Sequence, residues 1–133
     1  MIEHFTETRV RYAETDQMQI AHHSNYIVWF ELARVELMKS LGWDYASMEK
    51  AGYWMPVLEV RVHYLKPLFF DDWVRIRAFI EERPSAKIKY QYEIFNARQE
   101  RICQGYTVHG FMNAKNRAIK PPRAFIKKMQ SYF

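Results

Sequence analysis

An α+β layer fold, in which a curved antiparallel sheet covers one long helix, is predicted by three features of this 133-residue chain. A helical period occupies one early stretch, a period of two then recurs in four successive segments, and the junctions between those segments are short and turn-like. Tyr26, Trp29 and Phe30 are too bulky for a small flat sheet to cover, so the sheet is expected to wrap around the helix.

Along the chain, Thr6, Thr8, Val10 and Tyr12 form one alternating set of β-formers, predicting an opening strand over 5–12. Residues 13–24 have no sustained period and read as a loop. From Asn25 to Leu41 the residues Tyr26, Phe30, Ala33, Leu37 and Leu41 recur at steps of three and four, the mark of a helix with a wide apolar face. Ser24 or Asn25 can cap its start and Gly42 can end it. A second, short helix is predicted over 44–51, with Asp44 as its cap and Gly52 as its stop. Beyond Gly52 the period falls to two. Half-buried strands are expected at 58–65, 74–80 and 88–94, and a fourth strand at 102–112, with Gly105 and Gly110 as points of curvature or close approach. Pro67 closes the first of these, and turns are read at 83–86 and 96–100. The tail from Pro121 forms a short helix started near Pro122. No internal repeat or boundary interrupts this order, so one domain over 1–133 is expected.

Composition narrows the class. With 49% hydrophobic and 26% charged residues, four glycines and five prolines, the chain is expected to fold rather than remain disordered. Its one cysteine, Cys103, excludes an internal disulfide framework and reads as a buried structural thiol. No apolar run approaches the ~18 residues of a membrane span, and the N-terminal residues lack a secretory pattern, so a cytoplasmic location is expected. Charge is unevenly divided. Residues 1–60 carry nine acids and five bases, about −4, whereas 61–133 carry six acids and fifteen bases, about +9. Between Lys115 and Lys128 there are six basic residues and no acid, which suits attraction of phosphate. Aromatic residues interleaved with basic ones also keep a nucleic-acid binder in view.

The most informative stretch runs Tyr12-Ala-Glu-Thr-Asp16-Gln-Met-Gln19-Ile-Ala-His22-His23-Ser-Asn25-Tyr26-Ile-Val-Trp-Phe30-Glu31-Leu-Ala-Arg34. It resembles the signature of hotdog-fold acyl-CoA thioesterases of the 4-hydroxybenzoyl-CoA type, in particular their Tol-Pal-associated branch. That pattern reads Tyr-x-Asp/Glu-Thr-Asp-x-x-Gly-x-x-x-His-x-Asn-Tyr-x-x-x-Phe-Glu-x-x-Arg. The resemblance continues through Tyr64-Leu-Lys-Pro67, Asp71-Asp72, Gly105-Tyr-Thr-Val-His109 and Lys120-Pro-Pro-Arg123. The chain departs from the pattern at Gln19, where the family has glycine, and a side chain there is expected to narrow the site or change the turn.

The resemblance implies a hotdog fold, a sheet wrapped round a central helix, with dimers that join two sheets edge to edge and a site built across their interface. It places the catalytic carboxylate at Asp16, with Tyr12 and His23 as its companions. Chemistry supports the assignment: thioester hydrolysis needs a nucleophile or general base, and donors aimed at the developing oxyanion. Asp16 supplies the first in either role, and free amides at the start of the Asn25 helix supply the second, beside Asn25 and Tyr26. His23, just before that helix, either moves a proton or serves as a structural hydrogen-bonding residue. Tyr12 reads as positional, since a phenol is a poor base at neutral pH. Glu31 and Arg34 are expected to form an ion pair on the helix surface or at an interface. No metal is expected at Asp16, His22 and His23, because adjacent histidines ordinarily point apart and no further ligand pattern accompanies them. No cofactor is called for.

The expected reaction is hydrolysis of an acyl-CoA to a carboxylic acid and free CoA. Val57, Leu58 and Glu59 are assigned to the pantetheine arm, and Arg83 and Lys87 to the CoA phosphates. A hotdog hydratase or dehydratase is the enzymatic alternative, and a non-catalytic binder of acyl-CoA or nucleic acid the other. The Tyr-x-x-Thr-Asp context favours hydrolysis. Self-association as a homodimer or homotetramer is expected in either case.

Overall fold

The computed structural model describes all residues, Met1–Phe133. It contains β1 (Ile2–Arg9), α1 (Asn25–Ser40), α2 (Tyr45–Lys50), β2 (Val57–Tyr64), β3 (Trp73–Ile80), β4 (Ile88–Phe95), β5 (Arg101–His109) and α3 (Arg123–Gln130). The five strands form one antiparallel sheet in the order β1-β3-β4-β5-β2, so the segment nearest α2 in sequence ends at one edge and β1 at the other. Together the sheet and α1 make the α+β architecture anticipated from the two periods.

The side chains that set the helical period are the ones α1 buries: Tyr26, Phe30, Ala33 and Leu37, joined by Trp29 and Met38. Phe30 stacks on Tyr92 of β4 with ring centroids 4.2 Å apart and an interplanar angle of 5°. Burial of such large side chains, each contributing about 1.5–3 kcal/mol, fixes the helix against the sheet. Gly105 is where the approach is closest. A Cβ added there would fall 2.1 Å from the Arg61 carbonyl and about 3 Å from the Phe30 ring, so only glycine fits between strand and helix. Asp44 caps α2 through a 2.7 Å bond from the Ser47 N–H, and Gly42 and Gly52 both adopt positive φ after their helices. Phe125 and Met129 of α3 close one end of the core, Phe125 lying edge-on to Trp43 and Phe111.

Four expectations change. The first strand is Ile2–Arg9 rather than 5–12, pairing with β3 from Ile2↔Ile80 to Arg9↔Trp73. Val10 then turns into the core, and Tyr12 enters a one-turn 3-10 helix, Tyr12–Glu14, instead of the ladder. β5 stops at His109, because Met112 leaves to bridge Trp54 and Ala118. The alternation in β2 does not produce a buried face: Val57, Leu58, Val60 and Tyr64 are all exposed, because α1 packs chiefly against β1 and β3 and leaves β2 largely uncovered. Arg34 is also not paired with Glu31. Its Nη1 donates to the Tyr92 hydroxyl at 3.1 Å, inside a polar chain between helix and sheet. Tyr92 and Thr107 hydroxyls are 2.6 Å apart, Thr107 Oγ1 is 2.9 Å from His109 Nε2, and His109 Nδ1 is 3.2 Å from the Met55 carbonyl. The network assigns the ring proton to Nδ1, which donates to Met55, leaving Nε2 to accept from Thr107.

Candidate active site

Asp16 sits at the head of a small hairpin rather than in an unstructured loop. Thr15 and Ala21 bridge its base, the Asp16 N–H donates to the Ile20 carbonyl at 2.9 Å, and the Gln19 N–H donates to the Asp16 carbonyl at 2.9 Å. The Asp16 Oδ1 accepts the Met18 N–H at 2.8 Å, which fixes the carboxylate rotamer and leaves Oδ2 without a protein donor. Gln19 closes the turn at φ 65°, the left-handed conformation that glycine adopts without strain. The departure from glycine therefore leaves the turn in place and loads it with a small backbone cost.

A cleft of about 410 Å³ opens beside this hairpin, lined by Asp16, Ile20, Ala21, His23, Tyr26, Tyr64, Leu65, Lys66 and Pro67. It brings the Asp16 and His23 side chains to one space. The His23 ring lies against His22 in a tilted arrangement, with centroids 4.1 Å apart and planes at 31°, contrary to the expectation that the two point apart. His22 is locally committed: its Nδ1 accepts the Ser24 N–H at 3.2 Å and lies 2.8 Å from the Ser24 hydroxyl. The Tyr64 hydroxyl donates to the His23 carbonyl at 2.9 Å, and its ring meets Tyr26 edge-on at 5.0 Å. Tyr26 itself is core, its hydroxyl pushed up to about 12 chiefly by burial. Cys103 is fully buried and desolvation raises its thiol to about 12, so it is no nucleophile.

The start of α1 is partly spent. The Asn25 and Tyr26 N–H groups bond to the His22 and His23 carbonyls, at 3.0 and 3.4 Å, and Ser24 contributes no side-chain cap. The Asn25 amide donates to the carbonyls of Glu14 at 2.8 Å and His22 at 3.1 Å, holding the loop rather than facing the cleft. Tyr12 is 78% exposed, and its ring lies edge-on to Phe70 outside the cleft lining. Val57, Leu58 and Glu59 lie at the opposite end of β2 from Tyr64, and Arg83 and Lys87 occupy the β3–β4 turn beyond that same end. One protomer therefore does not gather these five residues around Asp16.

Tyr64 and Lys66 line the cleft without having been singled out as candidates in the sequence, although the Tyr64-Leu-Lys-Pro67 motif marked their neighbourhood. Lys66 pairs with Glu100, which lines a neighbouring cleft, and hydrogen bonds from Lys66 and Asn96 hold the Glu100 carboxyl below its usual range. The basic residues Lys120, Arg123 and Lys127 line a separate cleft with Ala86 and Ile126 at α3.

A sheet wrapped on one long helix is the hotdog architecture of thioesterase-like proteins. The profile of the Thioesterase-like superfamily matches residues 10–129, and the chain belongs to that family. A solved DHNA-CoA thioesterase from Staphylococcus aureus superposes with a TM-score of 0.92 at 36% identity, covering 99% of this chain and 89% of that one. YneP of Bacillus subtilis, provisionally named as an acyl-CoA thioesterase, is 41% identical over 103 residues, 77% of this chain and 75% of its own. The acyl-CoA thioester hydrolase YbgC of Escherichia coli O157:H7 is 25% identical over 89 residues, 67% of this chain and 66% of its own.

Proposed function

We propose that the chain hydrolyses an acyl-CoA thioester to a carboxylic acid and free CoA, with Asp16 as the essential carboxylate. The observation that carries this reading is the cleft in which a fixed carboxylate with one uncommitted oxygen shares space with the His23 imidazole beside the start of α1. Two routes use these groups. Asp16 Oδ2 attacks the thioester carbonyl, expelling CoA thiolate and forming an anhydride that water then cleaves. Alternatively it takes a proton from water as that water attacks the same carbon. In both routes the oxyanion is met by the positive end of α1, and His23 is the group placed to relay a proton. The order of residues from Tyr12 to Arg34 supports the 4-hydroxybenzoyl-CoA type and its Tol-Pal-associated branch as the nearest subgroup.

The working unit is a dimer. β2 presents an unpaired ladder together with exposed Val57, Leu58, Val60 and Tyr64, an edge that soluble proteins ordinarily cover, whereas β1 at the other edge alternates with Glu3, Glu7 and Arg9. Antiparallel pairing of β2 with its own copy about a two-fold axis sets the Val57 end of one strand beside the Tyr64 end of the other. That pairing carries Val57, Leu58 and Glu59 of one subunit towards the Asp16 cleft of the next, as contacts for the pantetheine arm. Arg83 and Lys87 follow on the same side, for phosphate.

Free-thiol release from a panel of aryl- and alkyl-CoA esters tests the activity. Steady release with at least one of them supports the reading, and acyl-CoA consumption without free thiol would favour a hydratase and contradict it.

A further inference from the structure

Glu14 is a carboxylate buried where the surrounding polar stretch offers no reason to bury one. It is 5% exposed, in the 3-10 turn between β1 and the Asp16 hairpin. Its Oε1 accepts the Arg11 N–H at 2.8 Å and lies 3.4 Å from Arg11 Nε, while Oε2 accepts the Trp29 indole N–H at 3.2 Å. Its main-chain carbonyl accepts two more bonds, from the His22 N–H and from the Asn25 side-chain amide, both at 2.8 Å. The donors come from the residue that enters the loop, the residue that leaves the hairpin, and two successive turns of α1.

Between those anchors the hairpin has little else to hold it. Gln17, Met18 and Gln19 are exposed, and the other ties to the body are the Ile20↔Phe69 bridge and the Ala21 N–H to the Leu68 carbonyl at 2.8 Å. A buried carboxylate stays in place only when its hydrogen bonds are made, so the Glu14 contacts are mutually dependent and set one geometry for the whole segment.

We propose that Glu14 is a positioning residue for Asp16, joining the entrance and exit of the hairpin to α1 through its buried carboxylate and its carbonyl, so that Asp16 and His23 face the cleft from one rigid frame. The inference rests on the role of Asp16 given above. A misplacement of about 1 Å at a reacting group is enough to cost on the order of a hundredfold in rate.

The test uses the full chain and acyl-CoA turnover. Glu14→Gln keeps the shape but turns an amide donor towards the Arg11 or the Trp29 N–H. Trp29→Phe removes the indole donor and serves should Glu14→Gln fail to fold. Either variant, folded by circular dichroism, is expected to lose 10- to 100-fold in kcat with KM within about threefold of wild type. Added to Asp16→Asn, the same substitution is expected to cause no further loss. A kcat within threefold of wild type in both folded variants, with Asp16→Asn inactive, would overturn the positioning role alone. An equal fold-loss in the wild-type and Asp16→Asn backgrounds would also overturn it, as an effect independent of Asp16. Wild-type turnover in Asp16→Asn would remove the parent reading and this one together.

Discussion

Asp16 and His23 meet because a six-residue detour folds back on itself, and the local chemistry of that detour was only half visible in the residue order. The acid, the histidine and their spacing were legible as a motif. The Asx-type bond from Met18, the tilted contact of the histidine rings and the burial of Glu14 were not. Glu14 is buried by an indole fifteen residues later, and no periodicity within the loop encodes such a contact. Gln19 shows the same limit: its side chain was noticed, but its positive φ is a property of the closed turn. Gln19→Gly is therefore expected to stabilise the folded protein by about 0.5–1 kcal/mol, read as a higher urea midpoint, because a left-handed backbone favours glycine. An unchanged or lower midpoint would show the side chain compensates. For His23, loss of a proton relay is expected to reduce turnover roughly 10²- to 10⁴-fold and to change the pH dependence of turnover. His23→Gln and His23→Ala, each profiled for rate and melting temperature, separate relay from loop support: an active Gln variant with the wild-type profile would assign His23 to structure.

At the level of elements, α1 and α2 were readable because period and terminal glycine are local signals, joined in α2 by the Asp44 cap, whereas the expected cap from Ser24 or Asn25 does not form at α1. β2 was readable as a strand but not in its burial, since alternation reports a strand but not which of its faces finds a neighbour. The same sheet carries a titration in its interior. His109 is 1% exposed, and burial, aided by the charge of Arg34, lowers its imidazole to about 4. The unfolded chain binds that proton near pH 6.5 and the folded chain does not until about pH 4. Stability supplied by neutral His109 is thus complete above about pH 6.5 and declines as the pH falls towards 4, by about 3 kcal/mol for a shift of this size. Urea unfolding across that range is expected to show a slope that His109→Gln reduces by about one proton. An identical slope in the variant would mean that His109 titrates alike in both states.

At the scale of the whole molecule, the apolar β2 edge and the division of candidate residues between the two ends of β2 are the observations that support the proposed two-fold assembly. Val60→Lys places a charge at the centre of that edge, and sedimentation is expected to show a monomer with little acyl-CoA turnover. A monomeric variant with full turnover would contradict a shared site. The proposed role of Asp16 in thioester hydrolysis is checked by free-thiol release from an acyl-CoA substrate of the wild type, compared for wild type and Asp16→Asn at matched melting temperature. An amide neither attacks the carbonyl nor accepts the water proton, so turnover is expected to fall at least about a hundredfold. Near-wild-type turnover in the Asn variant would contradict the account.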